Sequence, residues 1–352
     1  LRRARRNHHH QEHAMKKIAV VLLNLGGPNN QAAVEPFLFN LFRDHAILGV
    51  PQPFRWLLAK LISSRRAAKA QEIYAQMGGK SPILENTDAQ ATSLEAILGD
   101  GYKVFIAMRY WHPFSLETAK QVEAYQPEEI ILLPLYPQFS TTTTASSFKE
   151  WDKVAKQIGL NQPTYKMGCY PFSTGWVSAV AALIQEKVPN LQEYRLLFSA
   201  HGLPQKIVDA GDPYQWQVEQ TVAAVKAELG EVDAVVCYQS RVGPLQWLKP
   251  STETEIHRAG EEKKKIAVIP IAFVSEHSET LVELDIEYRE LAHKAGVADY
   301  VRVPTVSTHP LFIQQLAKLV TEVQTRQDSL SAAGGKRLCP QQFGKCGCYP
   351  QL

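Results

Sequence analysis

Two stretches of this chain hold side chains whose types and spacing could move protons or attract a cation. The first is Ser199-Ala200-His201-Gly202-Leu203-Pro204, followed by Gly211-Asp212-Pro213-Tyr214. A histidine between small residues lets a ligand come close and exchanges protons near neutral pH, although a lone histidine is as often a hydrogen-bonded loop residue. The second stretch runs from Ser275 to Glu290. Glu279, Glu283 and Glu287 repeat every four residues, which on an α-helix makes one acidic stripe, with His277 just upstream. Such a stripe is ordinarily a solvated face, and its like charges cost about 0.2–0.5 kcal/mol per pair. Here it follows the apolar run IAVIPIAF and is interleaved with Leu281, Val282, Leu284 and Ile286. That pattern predicts carboxylates lining a cleft. Oxygen and imidazole groups together suit a divalent first-row metal that is held loosely and passed on.

Thiols form a third group. Cys339, Cys346 and Cys348 make a C-x6-C-x-C pattern in a tail with Gly, Pro and Gln, while Cys169 and Cys237 lie apart. An odd count in an intracellular setting argues against a disulfide framework. Three thiols need a fourth ligand to complete a four-thiolate site, and zinc or an iron–sulfur cluster would both accept such a set. Cys237, at the end of an apolar run, is expected to be an ordinary buried thiol.

Something must hold these groups. Short apolar runs at Lys17–Asn24, Lys103–Arg109, Glu129–Tyr136, Arg195–Ala200, Val232–Tyr238, Lys265–Ala272 and Tyr300–Val306 alternate with helix-compatible stretches. Near-continuous apolar runs suit parallel strands buried on both faces, and the alternation predicts an α/β protein. The runs fall in two groups joined by Met167–Trp176, which predicts two doubly wound halves: 15–170 and 171–310, with a helix and tail over 311–352. The unusual residues follow the ends of the runs, where open α/β sheets bind ligands. Gly26-Gly27 is not a GxGxxG fingerprint, so a dinucleotide is not expected.

Composition narrows the partners. Of 38 basic and 35 acidic residues, residues 1–14 carry four Arg and one Glu, leaving 34 of each from Met15 onward. A neutral body offers no footprint for nucleic acid. Residues 1–14 lack the apolar core of a secretory signal and are read as a disordered extension or tag. No apolar run reaches the roughly 18–20 residues of a membrane span. Pro36–Ile62 is dense in Phe, Leu and Trp, for which helices packed over the first sheet are the default explanation.

The strings LNLGGP, MRYWHP, LYPQFSTTTTASS, SAHGLPQKIVDAGDPY, YQSRVGPLQWLKPST and FVSEHSETLVELDIEY resemble, in order, those of the ferrochelatase family. The resemblance implies two Rossmann-like halves with parallel sheets and a porphyrin cleft between them, and a lyase that inserts Fe2+ into protoporphyrin IX in the final step of haem biosynthesis. It makes His201 and Glu279 the catalytic pair, in proton abstraction or metal delivery, and His277, Glu283 and Glu287 the polar row leading from the macrocycle. Arg109, Tyr110, Tyr136 and Trp247 match residues of the pocket, as Arg66 (or Arg65) and Ser81 match groups that hold the propionates, with Tyr74 in the same stretch. Leu25, in the NLGGP form of the first loop, favours protoporphyrin over coproporphyrin. Some bacterial members carry a [2Fe–2S] cluster on such a tail, which assigns Cys169, Cys339, Cys346 and Cys348 as its ligands, with zinc the alternative. Thr141 stands where animal members have their interior cysteine. The family uses the Pro36–Ile62 region as a lip that touches membrane, so a cytoplasmic protein peripheral at the inner membrane is expected, and a homodimer is compatible. Competing readings are a chelatase for another tetrapyrrole, a non-catalytic porphyrin carrier and a nucleotide-binding Rossmann enzyme.

Overall fold

The computed structural model describes residues 15–241 and 243–348; the expectation for residues 1–14 lies outside them. The chain runs β1 (Ile18–Asn24), α1 (Val34–Arg43), α2 (Phe54–Ala75), α3 (Ile83–Leu98), β2 (Tyr102–Met108), α4 (Ser115–Tyr125), β3 (Glu129–Pro134), α5 (Thr144–Ile158), β4 (Thr164–Met167) and α6 (Thr174–Lys187). It continues through β5 (Tyr194–His201), α7 (Gln205–Asp209), α8 (Tyr214–Leu229), β6 (Asp233–Gln239), α9 (Thr252–Glu261) and β7 (Lys265–Pro270). A π-helical segment (Glu279–Glu287), α10 (Tyr288–Ala295), β8 (Asp299–Arg302), α11 (Pro310–Arg326) and β9 (Leu330–Ser331) complete it.

The strands form two sheets in the orders β2-β1-β3-β4-β9 and β6-β5-β7-β8. Every pairing is parallel. Central strands β1 (IAVVLLN) and β3 (EIILLP) are buried along their whole length, as helices on both faces require. Each fully buried Val, Ile or Leu there contributes about 1.5–3 kcal/mol. The runs read from the sequence locate seven of these strands. Two are additional: β4 is TYKM, mostly half-buried, and β9 is two residues long. Both are too short and too polar to stand out as apolar runs.

The strand β9 is the more consequential of the two. It pairs with β4 through Lys166↔Leu330 and Met167↔Ser331, so the chain returns to the first sheet after finishing the second. The halves also share one core. Trp176, Val180 and Ile184 of α6 and Phe312, Leu316 and Val320 of α11 join Val20, Leu22 and Ile131 of the first sheet to Leu196 and Phe198 of the second. Outer faces are covered separately: Phe148, Trp151 and Val154 of α5 on the first sheet, and Ile256, Ala259, Leu284 and Tyr288 on the second. Polar staples cross the cleft, where Gln90 Nε2 donates to Val274 O at 2.9 Å and to Ser307 O at 3.0 Å.

The sequence expectation for Pro36–Ile62 needs correction. Helix α2 buries small residues, Ala59, Ser63 and Ala67, and turns its large ones outward: Phe54 is 64% exposed, Leu57 56% and Trp56 45%. This helix is an outer layer, not a cover over the sheet. Among the described residues no helix is long and apolar enough to cross a membrane.

Candidate active site

Strand β5 ends at His201, and the segment after β7 carries Glu279; the two meet with His201 Nε2 3.5 Å from Glu279 Oε1. His201 Nδ1 lies 2.6 Å from Gly202 O. A carbonyl can only accept, so Nδ1 carries a hydrogen, and Nε2 is the ring atom that faces Glu279. Tyr214 donates its hydroxyl to His201 O at 2.9 Å, fixing the strand end. A methyl group on Gly202 would come 3.0 Å from both Gln239 O and Trp247 Cε3. Glycine at this position leaves Trp247 room beside the histidine, the tilted ring centroids being 6.4 Å apart. Trp247 lines a cavity of about 620 Å³ with Gly202, Gln239 and Lys249, and its Nε1 is buried without a hydrogen-bond partner among the described residues. An open groove of about 930 Å³ between α3 and α11 is larger, but its charged pair Glu322–Arg326 is self-satisfied and no acid–base cluster faces it. The close approach of an imidazole and a carboxylate is found at His201 and Glu279.

The acidic stripe departs from the α-helix its spacing suggests: Glu279–Glu287 is π-helical. Such windings are rare and concentrate at functional sites. Val282 and Leu284 are buried as the interleaving suggests, whereas Ile286 is 42% exposed, a second correction. Ser240, which lies in the YQSRVGPLQWLKPST string without a role assigned to it, joins the first two carboxylates. Its Oγ lies 3.0 Å from Glu279 Oε2 and 3.0 Å from Glu283 Oε2, and its backbone N–H donates to Glu283 Oε1 at 2.9 Å. One hydroxyl hydrogen cannot serve two carboxylates at once. Burial, reinforced by the charge of Glu279, pushes the Glu283 carboxyl up to about 8, so Glu283 carries a proton and can donate to Ser240 Oγ while Ser240 donates to Glu279. Ser240 pays for this bridging place with a φ of +66°, a strained left-handed conformation for a residue with a Cβ.

His277 is buried, and burial lowers its pKa, favouring the neutral ring; Nδ1 lies 3.2 Å from Ser275 O and the Phe273 ring stands edge-on at 4.5 Å. Tyr74, at the end of α2, reaches Ser278 Oγ at 3.4 Å, and burial raises its hydroxyl to about 12. Glu287 is exposed, so the row runs from cleft to solvent. Among the described residues no group of three or more His, Cys, Asp or Glu is disposed to hold a metal ion, and the row is a chain of neighbours rather than a closed ligand set.

This arrangement of an imidazole, a carboxylate and a proton-bearing carboxyl on a twofold α/β scaffold coincides with clear sequence kinship. The ferrochelatase family model matches residues 17–324. The chain belongs to the ferrochelatase family. It is 54% identical to the ferrochelatase of Caulobacter vibrioides over 343 residues, covering 95% of this chain and 98% of that one. The ferrochelatase of Rickettsia bellii is 50% identical over 343 residues, with 95% and 96% covered. Among solved structures, SirB from Bacillus subtilis with Fe3+ superposes with a TM-score of 0.54 at 13% identity, covering 87% of this chain and 95% of that one. The sirohydrochlorin chelatase SirB from Bacillus subtilis subspecies spizizenii with cobalt gives 0.55 at 10% identity, covering 88% and 96%. At such identities the likeness establishes a shared fold, the two-domain chelatase arrangement.

The other residues singled out by the family resemblance are scattered in role. Arg109 and Tyr110 are knotted together: Asp44 accepts from the Tyr110 hydroxyl at 2.6 Å, lies 3.2 Å from Arg109 Nη2 and also accepts from Ser146. Despite its burial, Asp44 is held below the usual carboxylate range by Arg109 and these hydroxyls. Tyr136 stands near Ser147 at 3.4 Å. Leu25 is half-buried on the first loop, where its carbonyl accepts from Tyr110 N. Ser81 is buried, with its N–H on Pro28 O at 2.9 Å; a Cβ on Gly27 would lie 2.7 Å from its own. Arg66 is exposed on α2 over the Phe42 ring.

Four cysteines converge. Cys346 interacts with Cys339 and Cys348, and Cys348 with Cys169. Cys169, Cys339 and Cys346 are buried, and Gln217 Nε2 donates to Cys339 Sγ at 3.0 Å. The thiol contacts of Cys339 and Cys348, aided by the Arg337 charge, push the Cys346 pKa well down, whereas Cys339 and Cys348 go up. These are pairwise contacts of thiols, and among the described residues they do not make up a closed metal-binding group. Cys237 is buried beside Thr252, an ordinary core thiol as expected.

Proposed function

We propose that this family member inserts ferrous iron into protoporphyrin IX to form protohaem, with His201 and Glu279 as the proton-handling pair. Family membership carries the iron-chelatase reaction, and the 3.5 Å approach of the His201 and Glu279 side chains carries the assignment of the pair. Metallation requires two pyrrole N–H protons to leave. His201 Nε2 and Glu279 can accept one each, and Ser240 links Glu279 to Glu283, whose own proton must first leave before it can take up another on the way to solvent. A rigid cleft that excludes water and favours a buckled ring lowers the remaining barrier. The experiment is turnover of His201→Ala and Glu279→Gln with protoporphyrin IX and Fe2+: both should retain porphyrin binding and lose haem formation, and a fully active variant of either would reject the assignment. Coproporphyrin as the competing substrate tests the part assigned to Leu25.

The finer readings attach to other surfaces. Cys169, Cys339, Cys346 and Cys348 are proposed as ligands of a [2Fe–2S] cluster, supported by the mutual contacts of their four thiols and by the buried seat of the tail. Four thiolates at the junction of tail and body would give the cluster a structural cross-linking role. Iron, sulfide and zinc content of anaerobically purified protein, with Cys348→Ser as control, separates the cluster from zinc and from neither. Peripheral membrane contact is proposed for α2, supported by the outward Phe54, Trp56, Leu57 and Leu61 beside Arg55 and Lys60. Co-sedimentation with anionic vesicles should weaken in Trp56→Glu.

A further inference from the structure

We propose that Arg302, on edge strand β8, is a positioning residue for metallation: it holds the segment bearing His277, Glu279 and Glu283 in its π winding by gripping the carboxylates on either side. Arg302 has this role only on the reading that Glu279 handles protons at the cleft. Its side chain is almost wholly buried, 8% exposed. Nη1 donates to both oxygens of Glu276 at 2.9 Å, while Nε and Nη2 grip Asp285 Oδ1 and Oδ2 at 2.7 and 2.9 Å. Glu276 immediately precedes His277, and Asp285 lies two residues past Glu283. One side chain thus fastens both ends of the working segment. The neighbouring Tyr300 adds a third tie, donating its hydroxyl to Leu284 O at 2.6 Å. Arg289 Nη1 returns to Tyr300 O at 2.9 Å.

Winding geometry shows why this grip bears on chemistry. An α-helix turns about 100° per residue, and the i→i+5 winding turns less. If Glu279–Glu287 rewound as an α-helix with Glu279 kept in the cleft, Asp285 would swing around the axis and leave Arg302, and Leu284 O would leave Tyr300. As long as Arg302 holds both carboxylates, Glu279 and Glu283 stay opposite Ser240. Among the described residues the hydrogen bonds of Arg302 go to Glu276, Asp285 and Val303 O, and none reaches His201, Glu279 or Glu283. A lysine would keep the charge and lose the fork that spans two carboxylates.

The test is full-chain Arg302→Lys, assayed with Fe2+ and protoporphyrin IX, with porphyrin affinity measured by fluorescence quenching. The expected result is a folded variant with porphyrin affinity within about twofold of the parent, kcat lower by about 10- to 100-fold and a raised KM for Fe2+, since displacement by about 1 Å suffices for such losses. Parental kcat and metal KM would overturn the proposal, as would porphyrin affinity falling in proportion to kcat, which would implicate the whole cleft. Should Arg302→Lys fail to fold, the triple variant Arg302→Met, Glu276→Gln, Asp285→Asn removes all three charges together and is expected to show the same split; full turnover there overturns the proposal. Glu279→Gln run alongside keeps the two ideas apart. If it is fully active the reading of the site fails, whereas an inactive Glu279→Gln beside a parental Arg302→Lys removes Arg302 alone.

Discussion

The two halves present the same architecture, a parallel sheet whose strands end at a shared cleft, yet they treat polar groups there in opposite ways. Beyond β2 the first half closes its charges into a satisfied knot: Asp44 is held by Arg109, Tyr110 and Ser146. Beyond β5 and β7 the second half sets Glu279 and Glu283 on one serine hydroxyl, beside a histidine whose Nε2 faces a carboxylate. Stability alone would select the first arrangement. The second tolerates a carboxyl whose proton is held to about 8 and a strained Ser240, and such unresolved conflict marks where chemistry is to be sought.

This contrast can be broken most sharply by exchanging the kind of damage each half suffers. Glu279→Gln and His201→Ala should lower haem formation by about 10²- to 10⁴-fold, with thermal unfolding and porphyrin binding little changed. Asp44→Ala should do the reverse, costing about 3 kcal/mol in denaturant-induced unfolding by leaving Arg109 uncompensated. An Asp44→Ala variant of parental stability would dissolve the distinction.

Titration separates the halves by sign. Asp44 holds its proton less tightly folded than unfolded, so its contribution to stability is present above its ordinary value of 3.8 and is lost as pH falls through its lower folded value. Glu283 holds its proton more tightly folded than unfolded, so folding becomes less favourable as pH rises from about 4.5 to about 8. Glu283→Gln should therefore stabilise the fold above pH 8 by roughly 1–2 kcal/mol while leaving it unchanged near pH 4. Stability curves of the variant and parent that run parallel across this range would refute the assignment of the proton to Glu283. The smallest effect is expected at Arg66. Exposed on α2, it should alter stability by less than about 0.5 kcal/mol in Arg66→Ala; a few-fold loss of porphyrin affinity is the expected sign of a propionate contact.

The amino-acid sequence by itself determined the parallel strands, because a strand buried on both faces must be apolar throughout, and it marked His201 and Glu279 by their places after such runs. It also carried the family, through six ordered motifs. What it could not determine were relations between distant segments. Ser240 is an unremarkable residue until β6 brings it against Glu279 and Glu283. The four-residue spacing of the glutamates fits an α-helix, and the π winding follows from ties to Arg302 and Tyr300 on another strand. Likewise β9 has too few residues to declare itself, and pairs only because α11 returns the chain to β4. Local pattern fixes which faces are apolar; charge, proton position and winding depend on what the rest of the chain places within a few ångströms.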